Sequence, residues 1–180
     1  RVPHRFMWAG GAGGLSQYDG TRVQAMRDHP RLVLPDPEVV ALVGDAEDAN
    51  AFWVGMKHGG VARYNTVTQE LLHEYPGLPK RVSSIASGPG GVVWVGTAGF
   101  GLYTARTPAS AQTPHVFSRV SREALPVDSV RTLLVSKTIP GMVWVGGARG
   151  LSVYHADKEL WRPHLAAAGD LDLLDSAAVT

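Results

Sequence analysis

Apolar and polar positions along this chain fall into short, strand-length runs, and the runs repeat. Four times an apolar stretch centred on Trp-x-Gly is followed, across a short loop, by a Gly-Leu or Gly-Val step into a second run. The copies are Phe6-Met7-Trp8-Ala9-Gly10 with Gly14-Leu15, and Phe52-Trp53-Val54-Gly55 with Gly60-Val61. They continue with Val93-Trp94-Val95-Gly96 and Gly101-Leu102, then Val143-Trp144-Val145-Gly146 and Gly150-Leu151. The four Trp residues lie 45, 41 and 50 positions apart. That period suits one four-stranded propeller blade and is too long for a leucine-rich or ankyrin unit.

Further strands complete each unit. A pair of apolar residues three apart follows a Leu-Pro turn: Leu34-Pro35 leads to Val39 and Leu42, Leu78-Pro79 to Val82 and Ile85, and Leu125-Pro126 to Val130 and Leu133. Proline has no N–H for a ladder, so each Leu-Pro belongs outside a central strand. The stretches 45–50, 88–91 and 139–141 read as turns that deliver this first strand into the Trp strand, making the two a hairpin. The third strand starts at the Gly-Leu step and carries Tyr18, Tyr64 or Tyr154 three places on, whereas unit three has Ala105 and an insertion over 107–114. A polar fourth strand is expected around 69–75, 115–119 and 158–161, where it suits an exposed edge. The Trp strand is apolar on both faces because both pack on neighbouring blades, and the Gly two places after Trp lacks a Cβ, so the next blade can approach there.

The pattern therefore predicts an all-β fold, a β-propeller built of four-stranded antiparallel blades with about four repeats. The units span 1–34 completed by 170–176, then 35–78, 79–125 and 126–165. Unit one lacks a first strand of its own, and Leu171-Asp172-Leu173-Leu174 repeats the first-strand spacing. That segment either completes blade one and closes a four-bladed ring or begins a fifth blade of a larger propeller. An open arc exposes an apolar blade face at each end, and association of copies through those faces or through blade edges is expected.

Composition narrows the partners. Among 180 residues, 17 basic and 16 acidic side chains leave a net charge of +1, which gives no broad attraction to nucleic acid or anionic membrane. The chain has no cysteine, which excludes disulfides, thiolate catalysis and Cys-ligated metal. No apolar run approaches the roughly 20 residues that span a bilayer, so no direct membrane insertion is expected. The opening residues, Arg1-Val2-Pro3-His4-Arg5, carry neither an initiator Met nor a signal-peptide apolar stretch, pointing to a segment of a longer protein.

The units resemble the two-component regulator propeller repeat. The resemblance rests on Trp8-Ala9-Gly10 running to Gly14-Leu15-Ser16-Gln17-Tyr18-Asp19, and on Gly60-Val61-Ala62-Arg63-Tyr64-Asn65 with the later Pro76-Gly77-Leu78-Pro79. Gly88-Pro89-Gly90-Gly91 leading to Trp94-Val95-Gly96-Thr97 is the third matching stretch. It covers nearly the whole chain; unit three departs from it at Ala105 and the insertion. It implies a non-catalytic ligand-sensing segment of a bacterial signal-transduction protein, periplasmic or extracellular, with a kinase or diguanylate cyclase output elsewhere. Streptogramin lyases are propellers with a somewhat similar Trp-rich repeat, and a lyase would have to use His58 or His164. A protein-interaction scaffold is the third alternative.

In a propeller the second-to-third and fourth-to-first strand loops open on one face. Here those loops carry Lys57, His58, Phe100 and Arg149, with Lys80, Arg81, Arg122 and His164 beside them. Lys57, His58, Arg81, Phe100 and Arg149 form the candidate ligand set, since cations near an exposed aromatic suit an anionic or hydroxyl-rich solute, including an oligosaccharide-like one. The simpler reading, and the usual one for loop charges, is that these residues are solvated. The seven His residues show no His-x-x-x-His pair, so neither metal nor cofactor is expected. The Gly10–Gly14 run lacks the Lys-Ser/Thr of a phosphate loop, and no Gly-x-Ser-x-Gly elbow occurs. The acidic run Asp45–Asp48 lacks EF-hand spacing and reads as a solvated turn. The four repeat Trp residues read as core, and Trp161, in the polar outer strand, as a blade-edge cover or subunit contact.

Overall fold

A computed structural model describes residues 6–27, 29, 32–75, 78–79, 81–106, 116–120, 129–139, 141–147, 150–158 and 160–166. They form four antiparallel sheets in chain order. Blade one holds β1 (Met7–Gly11), β2 (Gly14–Tyr18) and β3 (Val23–Ala25). Blade two holds β4 (Val39–Gly44), β5 (Ala51–Met56), β6 (Gly60–Asn65) and β7 (Glu70–Glu74). Blade three holds β8 (Val82–Gly88), β9 (Val92–Thr97), β10 (Gly101–Arg106) and the short β11 (Ser118–Arg119). Blade four holds β12 (Val130–Val135), β13 (Met142–Gly147), β14 (Gly150–His155), a single 3-10 turn at Ala156–Lys158, and β15 (Leu160–Ala166). Each sheet is a meander of sequential neighbours, and the innermost strands stack in turn, with β1 on β4, β4 on β8 and β8 on β12. This is the propeller arrangement that the repeat predicts.

Blade one has three strands among the described residues, with its Trp strand at the inner edge. The segment Leu171–Leu174 and the Leu125-Pro126 turn lie outside those residues. The fourth strand of blade four runs on to Ala166, beyond the expected 158–161, and so takes in His164, which the sequence reading had placed in a loop.

The apolar spacing of three in the first strands has a structural cause. A strand normally puts i and i+2 on one face, so Val39 and Leu42 should point to opposite sides. Each first strand, however, carries a register shift straight after its leading Val: between Val39 and Ala41, between Val82 and Ser84, and between Val130 and Thr132. The extra residue of such a bulge returns i and i+3 to the same face. Val39 and Leu42 thereby sit opposite Met56 and Val54, and all four reach one core cluster with Leu15.

One template fills all three blade interfaces. On the side facing the following blade, each second strand presents Trp and the Gly two places on. On the side facing the preceding blade it presents the flanking apolar residues. Trp53 is fully buried with Val82, Ile85, Val93 and Val95 of blade three. Trp94 is likewise buried with Val130, Val143, Val145 and Leu133 of blade four. Trp8 stands 5.1 Å from Phe52 and 5.3 Å from Tyr64 of blade two. The Gly is required by the same approach. A Cβ at Gly55 would lie 2.8 Å from the Val82 side chain, and one at Gly96 would lie 2.5 Å from Val130.

The Tyr of the third strand is part of this template, because it meets the Trp of the preceding blade. Tyr64 reaches Trp8, and Tyr154 packs edge-on at 5.5 Å from Trp94. Burial pushes the Tyr64 hydroxyl up to about 12, since the charged phenolate is disfavoured away from water. Blade three has only Ala105 there, and Phe117 replaces the missing ring. It lies edge-on 6.2 Å from Trp53 and 5.2 Å from Tyr75. Trp161 of β15 stacks 4.7 Å from Tyr154 and so covers the outer edge of its own blade.

Candidate functional site

The antiparallel meander puts the second-to-third and fourth-to-first loops on a common face, as expected. Four of the five candidate ligand residues are described there, and Arg149 lies outside the described residues. Lys80 and Arg122 also lie outside them.

The loops at blade two are tied together by their own polar groups. Lys57 donates from its backbone N–H to the Glu38 carbonyl at 2.9 Å, and its ammonium pairs with Glu38 Oε1 at 2.8 Å. Asp36 accepts from the Glu38 N–H at 3.0 Å and from the His58 N–H at 2.5 Å. Those donors hold the Asp36 carboxyl below the ordinary carboxylate range, the Glu38 N–H being the largest cause and partial burial opposing it. Gly59 completes the junction: a Cβ there would meet the Asp36 Cβ at 2.7 Å. The sequence reading passed over Asp36 and Glu38, yet they fix the position of Lys57 and His58. The available signal was Asp36-Pro37-Glu38, an Asp two residues before an N–H that it can cap, just ahead of a strand.

Blade three builds the equivalent junction differently. The Arg81 carbonyl accepts from Ala98 N–H at 2.9 Å, matching the Glu38–Lys57 backbone bond, while Ala98 bridges to Ser129 at the start of blade four. Arg81 holds a φ of 128°, a region that side chains rarely enter, and its side chain is exposed. Phe100 is also exposed, at 45 %. The face therefore offers one cation already matched by a carboxylate, an exposed imidazole, an exposed guanidinium and an exposed ring. Such a surface can take a hydroxyl-rich or anionic solute through hydrogen bonds and ring contact. Among the described residues, no three His, Asp or Glu converge as a metal site would require.

The opposite face holds the polar chemistry that the sequence reading misjudged. Asp45 is not a solvated turn residue: its side chain is 4 % exposed and pairs with Arg63 Nε at 2.7 Å. Arg63 also reaches Asp48 at 3.2 Å, and its guanidinium carbon lies 5.9 Å from the centre of the Trp53 ring. Glu47 in the same turn accepts from the Gly90 and Gly91 N–H groups of blade three, at 2.9 and 3.1 Å. The acidic run is a clamp between blades two and three.

No known protein family matches the sequence, and no curated protein matches it. Solved structures do match in fold. The extracellular domain of BT3049 from B. thetaiotaomicron, described as a hybrid two-component system, aligns with a TM-score of 0.71 at 21 % identity over 92 % of this chain. The extracellular domain of BT4673 from the same organism, described as a one-component system, aligns at 0.70 and 20 % identity over 93 %. The computationally designed Ika4 protein aligns at 0.61 and 20 % identity over 83 %. The likeness fixes the blade architecture. The chain spans 24 % and 21 % of the two extracellular domains, so it corresponds to about a quarter of such an assembly. Among the described residues no helix is long and apolar enough to cross a membrane.

Proposed function

We propose that this chain is a ligand-sensing β-propeller segment of a bacterial signal-transduction protein, working in the periplasm or outside the cell. The observation that carries the reading is the stack of Trp-x-Gly blades. It aligns over nine-tenths of its length with extracellular domains described as one- and two-component systems. A sensor segment of this kind binds a solute on its loop face and passes a population shift to a distant output. The exposed Arg81, His58 and Phe100, together with Arg149, are the residues assigned to the solute. Lys57, held by Glu38, positions the loop that carries His58.

Calorimetric titration with a panel of neutral and anionic oligosaccharides tests this. Saturable binding is expected, weakened at least tenfold in H58A/R149A and in F100A. Binding that both variants leave unchanged would remove the loop-face site. Turnover of a lactone substrate would replace the sensor reading with a lyase one.

A further inference from the structure

Among the described residues, three cations stand on the loop face at blades two and three, and one of them has no acidic neighbour. Lys57 is paired with Glu38 at 2.8 Å. The His58 imidazole lies within electrostatic reach of the Asp36 carboxylate, which also accepts the His58 N–H. Arg81 is exposed, and no carboxylate among the described residues pairs with its guanidinium. Its φ of 128° is not demanded by the architecture: Glu38 and Ser129 precede the leading Val of their strands as Arg81 does, and neither has a positive φ. Such conformations persist where the surroundings over-determine them, and they gather at ligand sites. The turn that rests on the Arg81 backbone presents Phe100. It starts at Ala98, whose N–H donates to the Arg81 carbonyl at 2.9 Å, and Thr97 Oγ1 closes it by donating to the Gly101 carbonyl at 2.6 Å. Gly99 and Gly101, at φ of 98° and 85°, let the chain turn tightly on either side of the ring. Phe100 is thus an apolar ring held out in water by a fixed turn.

We infer that this pair selects a carboxylate-bearing sugar of the hexuronate type, the Arg81 guanidinium taking the carboxylate and the Phe100 ring taking the C–H face of the pyranose. The inference rests on the loop-face reading above and narrows its ligand to acidic members. A guanidinium offers parallel N–H donors that match a carboxylate, and one without an ion pair gives up none on binding. An aromatic face covers apolar surface at little cost in rotamer freedom, since it has only two side-chain torsions. A hexuronate carries both complements in one residue, a carboxylate at the edge of a ring whose face is C–H. A neutral sugar would leave Arg81 unused, and a small acid such as acetate would leave Phe100 unused. The strain at Arg81 then serves recognition rather than the fold, so stability and binding should part when it is removed.

Calorimetric titration of the 180-residue chain with galacturonate, glucuronate and mannuronate trisaccharides, each beside its neutral methyl ester, tests this. At least one acid should bind saturably and at least tenfold more tightly than its ester. R81A and R81G should both erase that difference, and F100A should weaken acid and ester alike. K137A, which removes an exposed cation on the opposite face, should leave the preference unchanged. R81G should also raise the thermal midpoint of the free chain by about 2–4 °C, because glycine accepts the positive φ, whereas R81A should not. Equal binding of acid and ester, lost in F100A, would overturn the carboxylate assignment and keep the loop-face site. Absence of binding by acids, esters and neutral oligosaccharides would overturn both. A midpoint lowered by R81G would show that the Arg81 side chain serves the fold, and loss of the preference in K137A would reduce it to diffuse charge attraction; either result overturns the proposal.

Discussion

The interface between blades two and three and the interface between blades three and four fill the same template with different side chains. Both bury a repeat Trp against the first and second strands of the next blade, and both need Gly two residues later. At the later interface the Trp94 ring meets the template Tyr154, itself covered by Trp161, in an aromatic row. At the earlier one Ala105 has replaced that Tyr, and the space over Trp53 is closed by Phe117 on one side and Arg63 on the other. Cross-strand from the Trp, the earlier interface has Arg63 and the later one Thr104. The repeat thus specifies a volume and an approach distance, and leaves open which segment supplies the ring.

The comparison can be broken most forcefully at the indoles. W53A and W94A should each lose about 3–5 kcal/mol of stability in denaturant unfolding, the range for removing a fully buried large aromatic. Next in size, R63A should lose about 3 kcal/mol because it strands the buried Asp45, while T104A at the matching position should lose less than about 1 kcal/mol. F117A should lose about 2 kcal/mol, and A105Y in that background should recover most of it by returning the template ring. If A105Y instead destabilises F117A further, the two rings do not share a site. The smallest effect concerns the turns. Asp19, lowered to about 2 chiefly by the Arg22 and Thr21 N–H groups, and Asp36, lowered by the Glu38 N–H, bind protons less tightly folded than unfolded. Their contribution is complete above the ordinary carboxylate range near pH 4 and fades as pH falls toward 2. D19N and D36N should flatten that part of the stability profile.

Blade number, strand order and the packing role of the Trp and Gly residues were legible in the sequence, because a recurring spacing reports a recurring environment. The three-residue spacing of Val39/Leu42 and its counterparts was visible as well, but its cause was not. A bulge is a backbone event, and the inserted Val40, Ser83 and Arg131 have nothing chemical in common. The polar clamp was missed for a different reason. Asp45 and Arg63 are 18 residues apart and on different strands, so their pairing exists only once β4, β5 and β6 are in register. On the loop face the sequence identified charged and aromatic residues by position alone. It did not show that Glu38 already engages Lys57, since that pairing depends on where the inter-blade connection ends.

The central claim is that each blade is received by the next through a contact too close for a Cβ, and a double-mutant cycle at Gly55 and Val82 measures that contact. G55A alone should cost about 1–3 kcal/mol, because its Cβ would press on Val82 and Ile85 of blade three. With V82A the added methyl finds room, so the double variant should be more stable than the sum of the single effects by about 1 kcal/mol or more. Additivity within about 0.3–0.5 kcal/mol would show that the two residues do not meet, and would contradict the stacking of blades described here.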